Sequence, residues 1–195
     1  KEKGKNRHII YEERLHGKLE SDDMQNMAMA YVVSKEKKRE VITKMITELC
    51  VSGVNSIVKK EERLQQIRSL FDLDGITIYS ESGAQLVCRN GNYMVEVPDG
   101  RGLFEDEKYL ALFGDDDNFI ESNTLKLRFQ DPAAFAVMQK QEIGASLQCL
   151  SRKEGVPNVI VNYDVFNRNR KWSDEDITLL TILGHCIGNL LNYSE

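Results

Sequence analysis

Apolar residues recur along this chain at two periods, and the period changes near residue 74. Before it the spacing is helical. Ile10, Leu15 and Leu19 come first, then Met24, Met27 and Met29. Val41, Ile42, Met45, Ile46 and Leu49 follow at i, i+3/i+4, i+7, and Ile57, Leu64, Ile67, Leu70 and Phe71 lie beyond Gly53. No glycine stands between Gly17 and Gly53. The pattern predicts helix, interrupted near 21–23, where Ser21 suits a cap, and broken at Gly53. The charge run 34–40 interleaves Glu with Lys and Arg, so it reads as a solvated face. Residues 1–38 are read as a helical stalk or linker, and 39–195 as one domain.

Beyond residue 74 the pattern is that of strands. Residues 75–80 and 85–89 are short and rich in β-branched side chains, with a turn at 81–84. Asn90-Gly91-Asn92 signals another turn, with 93–97 pairing behind it. The acidic, turn-rich stretch 98–123 holds Phe104, Tyr109, Leu110, Leu112, Phe113 and Phe119. Apolar anchors in such a segment predict a loop with a short helix lying over something. Residues 124–129 alternate, which predicts a strand with Leu125, Leu127 and Phe129 inward. Asp131-Pro132 reads as a cap and first turn of a helix ending near Gly144. A hairpin follows, 145–152 and 158–166, and then Ser173 to Asp176 open a helix apolar on two stripes. A helix apolar over so much of its girth needs cover on two sides: the sheet, and either the N-terminal helices or a second subunit.

Composition narrows the classes. With 195 residues, 41% hydrophobic and 29% charged, the chain suits a globular domain plus an extension. A net charge of −5 argues against a general nucleic-acid binder. No apolar run approaches the roughly 20 residues of a membrane span, so no direct membrane contact is expected. The absence of an initiator Met and the apolar final helix suggest a piece of a longer protein. The four cysteines, Cys50, Cys88, Cys149 and Cys186, sit in apolar elements without metal spacing, which predicts reduced thiols in a cytoplasmic protein. Asp115-Asp116-Asp117 lacks the glycine and distal Glu of a calcium loop. No metal site is expected, and no cofactor is named.

The order of elements and the phrase Arg168-Asn169-Arg170-Lys171-Trp172-Ser173-Asp174-Glu175-Asp176-Ile177 resemble a GAF domain over residues 39–193. The resemblance implies an α+β fold: a central antiparallel sheet, terminal helices packed on one face, and a pocket-covering loop and helix region on the other, preceded by the stalk. It also implies a sensory module of bacterial signalling proteins, diguanylate cyclases among them. Cyclic-nucleotide-binding members carry an Asn-Lys…Phe…Asp-Glu signature. Asn167, Arg168, Trp172 and Asp176 match its spacing, with Ile177 where Glu belongs. The implied Arg168–Asp176 ion pair speaks for fold stability, and no cyclic nucleotide is expected. Bilin attachment is not expected either, because the one adjacent pair, His185-Cys186, is reversed and on the packed last helix.

A pocket of this family would be floored by the sheet and roofed by 98–123 and 131–142. The candidate liners are Tyr79, Phe104, Phe119, Phe129, Phe135, Met138, Cys149 and Tyr163, with Arg89, Arg128 and Arg152 the cations placed to meet an anion. Their aromatic character points to a small or filled pocket. Three readings follow: a small-molecule-sensing or signal-transmitting module acting as a homodimer through stalk and C-terminal helices; a ligand-free dimerisation module; and a thiol redox enzyme using Cys88 or Cys149, two cysteines that could meet across the sheet. On the first two the chain itself has no catalytic residue.

Overall fold

A computed structural model describes residues 21–52, 61–89 and 98–192. The chain runs α1 (Ser21–Ser52), α2 (Glu61–Leu70), β1 (Gly75–Ser80), β2 (Gly83–Arg89), a 3-10 turn (Arg101–Phe104), α3 (Glu107–Leu110) and β3 (Asn118–Glu121). A second 3-10 turn (Thr124–Lys126), α4 (Leu127–Gln130), α5 (Pro132–Lys140), β4 (Ile143–Lys153), β5 (Val156–Phe166) and α6 (Asp174–Asn192) complete it. Among the described residues five strands form one antiparallel sheet, ordered β2-β1-β5-β4-β3. The long β4–β5 hairpin is its centre.

Alternation assigns the two faces. Ile76 and Ile78 of β1, Leu147 and Cys149 of β4, and Val161 and Tyr163 of β5 face the helices. There they meet Ile42, Met45 and Leu49 of α1, Leu64 and Ile67 of α2, and Leu180, Leu183 and Ile187 of α6 in one core. Helix α6 thus has the sheet on one side and α1 on the other. Gly184 lets it approach: a Cβ there would lie 2.6 Å from Cys149 Sγ. Two predicted caps form. Asp131 accepts from the N–H groups of Ala133 and Ala134 at 3.0 Å each, and Ser173 Oγ accepts from Asp176 N at 3.1 Å.

Two expectations are corrected. Residues 124–129 are not a strand. The Asn123 side chain accepts from Leu125 N and starts a 3-10 turn that runs into α4, where only one turn is made before the Asp131 cap. Of the alternating trio only Leu127 is buried; Leu125 is 56% and Phe129 87% exposed. The edge strand is β3 instead, inside the stretch read as irregular. The second correction concerns Cys88 and Cys149. They lie on β2 and β4 with β1 and β5 between them, so about 14 Å of strand spacing separates them. That exceeds the reach of a disulfide, and burial also pushes the Cys149 thiol up, so this pair does not support redox chemistry. Helix α1 is continuous across residues 38 and 39. The predicted strand 93–97, the Gly53 break and residues 1–20 lie outside the described residues. Among the described residues no helix is long and apolar enough to cross a membrane.

Candidate ligand-binding site

The sheet face turned away from the helices has a polar floor. Register places Thr77 beside Asn162 and Asn162 beside Gln148; one step along, Gly75, Asp164 and Ser146 form the adjoining row. All four side chains on β4 and β5 and that of Thr77 are buried. Their hydrogen bonds run one way. Tyr109 Oη donates to Gln148 Oε1, Gln148 Nε2 donates to Ser146 Oγ at 3.1 Å, and Ser146 Oγ donates to Asp164 Oδ1 at 2.6 Å. The last bond and the nearby Arg89 favour the carboxylate, yet burial outweighs them and pushes Asp164 up to about 6. Burial likewise pushes the Tyr109 and Tyr79 hydroxyls up. Two acceptors on this floor, Thr77 Oγ1 and Asn162 Oδ1, are buried without a hydrogen-bond partner.

A roof covers this floor. Tyr109, Phe113, Leu127, Ala134 and Met138 form a second apolar cluster with Tyr79, Phe119, Leu150, Ile160 and Phe166 of the sheet. Tyr109 and Phe113 pack edge-on with centroids 5.7 Å apart. Gly100 brings the roof down onto the sheet: its φ is 81°, and a Cβ there would stand 2.2 Å from the Tyr79 ring. Between floor and roof lies a cleft of about 240 Å³. Gln148, Asn162, Tyr79 and Tyr109 supply its polar atoms and hydroxyls; Leu103, Val137, Met138 and Ile143 are among its apolar walls. Among its described liners there is no Lys, Arg or His, and the one carboxylate among them, Asp106, already caps α3 by accepting from Lys108 N and Tyr109 N.

Of the residues singled out by sequence, Tyr79 and Met138 line the cleft. Phe119 of β3 packs in the second apolar cluster, against which Phe104 and Phe135 of the roof also pack. Cys149 and Tyr163 belong to the opposite, helix-facing core because they occupy the other parity of β4 and β5. Phe129 points to solvent at the end of α4. The three arginines do not reach the cleft. Arg89 donates to Gln141 Oε1 and lies over the Phe166 ring, Arg152 pairs with Asp117, and Arg128 is exposed. Asp116 and Asp117 are spent on the turn before β3 and on Arg152. The polar floor was missed. Its signal was present as Ser146-x-Gln148 and Asn162-x-Asp164, polar residues at every second position of otherwise apolar strands.

A five-stranded antiparallel sheet with this strand order, helices on one face and a roofed cleft on the other, aligns with solved structures at probability 1.00. The fold is that of a GAF domain. The phycoerythrobilin-bound GAF domain of a cyanobacterial phytochrome superposes with a TM-score of 0.61 at 10% identity, over 84% of this chain and 97% of that one. The chromophore-binding domain of Stigmatella aurantiaca bacteriophytochrome gives 0.61 at 14%, over 81% and 60%. GAF3 from Slr1393 of Synechocystis sp. PCC6803 gives 0.51 at 14%, over 71% and 93%. No family model and no curated protein matches the sequence.

In this GAF-like fold the segment before α6 is wired differently from the pairing that the resemblance implied. Arg168 does not meet Asp176. It reaches back to the carboxylates of Asp74 and Asp72 at the β1 entry. Asp176 is held instead by Arg170 at 2.9 Å and by Lys38 of α1 at 2.6 Å. The reason is local. Asn167 has a φ of 54°, and the turn it makes sends Arg168 away from the helix start while Arg170 folds over the Trp172 ring, 4.3 Å from its centroid. Arg170 N also donates to Ser122 O, and Trp172 Nε1 donates to Glu121 O at 3.3 Å. This short segment therefore touches the edge strand, the β1 entry, α1 and α6.

Proposed function

We propose that this GAF domain is a sensory module whose cleft takes a small, uncharged molecule bearing hydrogen-bond donors. The observation that carries the reading is the pair of buried, unpartnered acceptors, Thr77 Oγ1 and Asn162 Oδ1, with Asn162 opening into the cleft. Each such group costs about 1–3 kcal/mol while unsatisfied, and a ligand N–H or O–H recovers that cost. The lack of a cation among the described liners disfavours an anion such as a cyclic nucleotide. A volume of about 240 Å³ lies below the roughly 300 Å³ at which drug-sized sites begin, and none of the four cysteines lines the cleft, so a covalently held bilin is disfavoured too.

Occupancy would be passed on through two connections. One is the chain from Tyr109 to Asp164, whose strand leads to Phe166 N donating to Asp74 and so to Arg168. The other is the edge strand β3, whose Glu121 carbonyl accepts from Trp172, with Arg170 beside it pairing to Asp176 and so to Lys38. A ligand that prefers one packing of α1 on α6 shifts the population by its differential affinity. We further propose that the output lies outside this chain and that the module acts as a homodimer. Met29, Tyr31, Val32 and Val33 on the N-terminal part of α1 are more than half exposed, ahead of the first contacts of α1 with α6 at Lys35. A helix left alone with such side chains in water is marginal, and a second copy supplies the missing face.

A thermal-shift screen of neutral amides, ureas and free nucleobases against nucleotides and carboxylates tests the reading. A neutral donor at 100 times its Kd should stabilise by about 2.7 kcal/mol. Stabilisation by anions alone, or by nothing, would leave the ligand-free dimerisation module as the better account. Sedimentation to a monomer at micromolar concentration would remove the dimer.

A further inference from the structure

Helices α1 and α6 run parallel, and three ion pairs at one end fix their register. At the N-terminal end of α6, Lys38 pairs with Asp176 at 2.6 Å, while Arg39 and Lys35 pair with Glu175 at 2.7 and 3.3 Å. From Lys38 to Cys50 is about 18 Å of helix, and from Asp176 to Cys186 about 15 Å. The two cysteines therefore arrive at the same level, and after burial it is the neighbouring Cys50 thiol that pushes the Cys186 thiol up. Between the two ends, Met45 and Leu49 of α1 and Leu183 and Ile187 of α6 are buried in one core, so the pairing rests on packed helices rather than on a loop. Cys50 is exposed and Cys186 half-buried, whereas Cys88 and Cys149 are buried in the sheet. The pair is thus open to a small solute in a way the other two thiols are not.

We propose that Cys50 and Cys186 form a reversible disulfide that locks α1 to α6, a redox-controlled modification site separate from the cleft. The oxidant is a low-molecular-weight disulfide, RSSR. The exposed Cys50 attacks it as the thiolate, displacing one RS⁻ and forming a mixed disulfide. Cys186, deprotonated, then attacks the Cys50 sulfur and displaces the second RS⁻. The balance is two protein thiols plus RSSR giving one protein disulfide plus two RSH. Helices packed about 8–10 Å apart bring facing Cα atoms within the roughly 4.4–6.8 Å that a disulfide spans, and rotation about the side-chain torsions then sets the sulfurs at about 2.05 Å. Locking matters because both helices flank the segment 167–176, so a cross-link at their far end removes one of the motions by which a change in the domain would reach what α6 leads to.

The test uses the full chain, equilibrated with oxidised and then with reduced glutathione, alkylated under native conditions and mapped by mass spectrometry without reduction. The expected result is one linked peptide pair, Cys50 with Cys186, and loss of both from the alkylated pool. The melting temperature should rise by several degrees on oxidation and fall back on reduction. C50S and C186S should each abolish the link and the shift, and C88S should leave both intact. Glutathione carried separately on Cys50 and Cys186 with no linked peptide would overturn the proposal, as would a Cys50–Cys50 link between two chains in its place.

Discussion

Asp164→Asn is expected to stabilise the domain at neutral pH and to change little near pH 4. Asp164 is 1% exposed, and burial, opposed by the Ser146 bond and by Arg89, raises its carboxyl to about 6. In the unfolded chain an aspartate titrates near 3.9, about two units lower. Between these values the folded state holds a proton that the unfolded state has released. The contribution of this group to stability is therefore fullest below about pH 4. It is lost as pH rises through about 6, and above that the fold bears a buried carboxylate. Two units at about 1.4 kcal/mol each give about 3 kcal/mol. Asparagine keeps the Oδ1 acceptor for Ser146 and never ionises, although its amide N–H groups need partners, so about 3 kcal/mol is an upper value. For a chain of this length it corresponds to roughly 6–12 °C in Tm. Melting temperatures of both proteins would be taken from pH 4 to 8 and subtracted at each pH, which cancels the other carboxylates. The difference should open between about pH 4 and 6 and then level off. A flat difference refutes the reasoning, because the carboxylate would then be as well solvated in the fold as in the unfolded chain.

Three further outcomes follow from particular contacts. Gly144→Ala puts a Cβ 2.3 Å from the carbonyl oxygen of Arg168, and backbone cannot step aside as a side chain can, so urea unfolding should show a loss of about 2–3 kcal/mol. Phe129→Ser should stay within about 0.5 kcal/mol of the parent by the same measurement, whereas Phe119→Ala, 6% exposed on β3 under the roof, should cost about 3 kcal/mol or more. Asp176→Ala strips the carboxylate from the mostly buried Arg170 and from Lys38, and should lower Tm more than Arg168→Ala, because the Arg168 side chain is 41% exposed, its partner Asp72 sits half in solvent, and the buried Asp74 keeps its bond from Phe166 N.

Much of this fold was legible because its longest elements are governed by period alone. The hairpin at 145–166 and the helix behind Ser173 are long enough for alternation and helical spacing to be unambiguous, and their caps are made by the residues the sequence offers. The stretch 118–129 was misread for the opposite reason. Leu125-x-Leu127-x-Phe129 alternates over one short span, but Asn123 and Asp131 bracket it with side chains that bond the nearest free N–H groups, and local capping wins over a weak pattern. The same limit applied to the site. Aromatic and sulfur-containing residues attract attention as liners, yet parity within a strand decides which face they join, and it sends Cys149 and Tyr163 to the helices. Parity also shows that the alternate residues Ser146, Gln148, Asn162 and Asp164 must share the other face.

That face sharpens the case for a ligand, and it can be tested on stability alone. An apolar floor under the same roof would fold more stably, since Val is nearly the shape of Thr and has no hydroxyl to desolvate. Thr77 is 1% exposed and its Oγ1 finds no partner, so Thr77→Val removes a penalty and breaks no bond seen in the fold. It should raise stability in the absence of ligand by about 1 kcal/mol, roughly 2–4 °C in Tm. Any neutral donor found by screening should then stabilise the variant less than the parent. A Thr77→Val protein that is less stable than the parent would mean that the hydroxyl is already satisfied in solution, by water entering the cleft. The unpartnered acceptors would then no longer point to a ligand. A more stable variant that still gains as much from the ligand would place the recognition on Asn162 without Thr77.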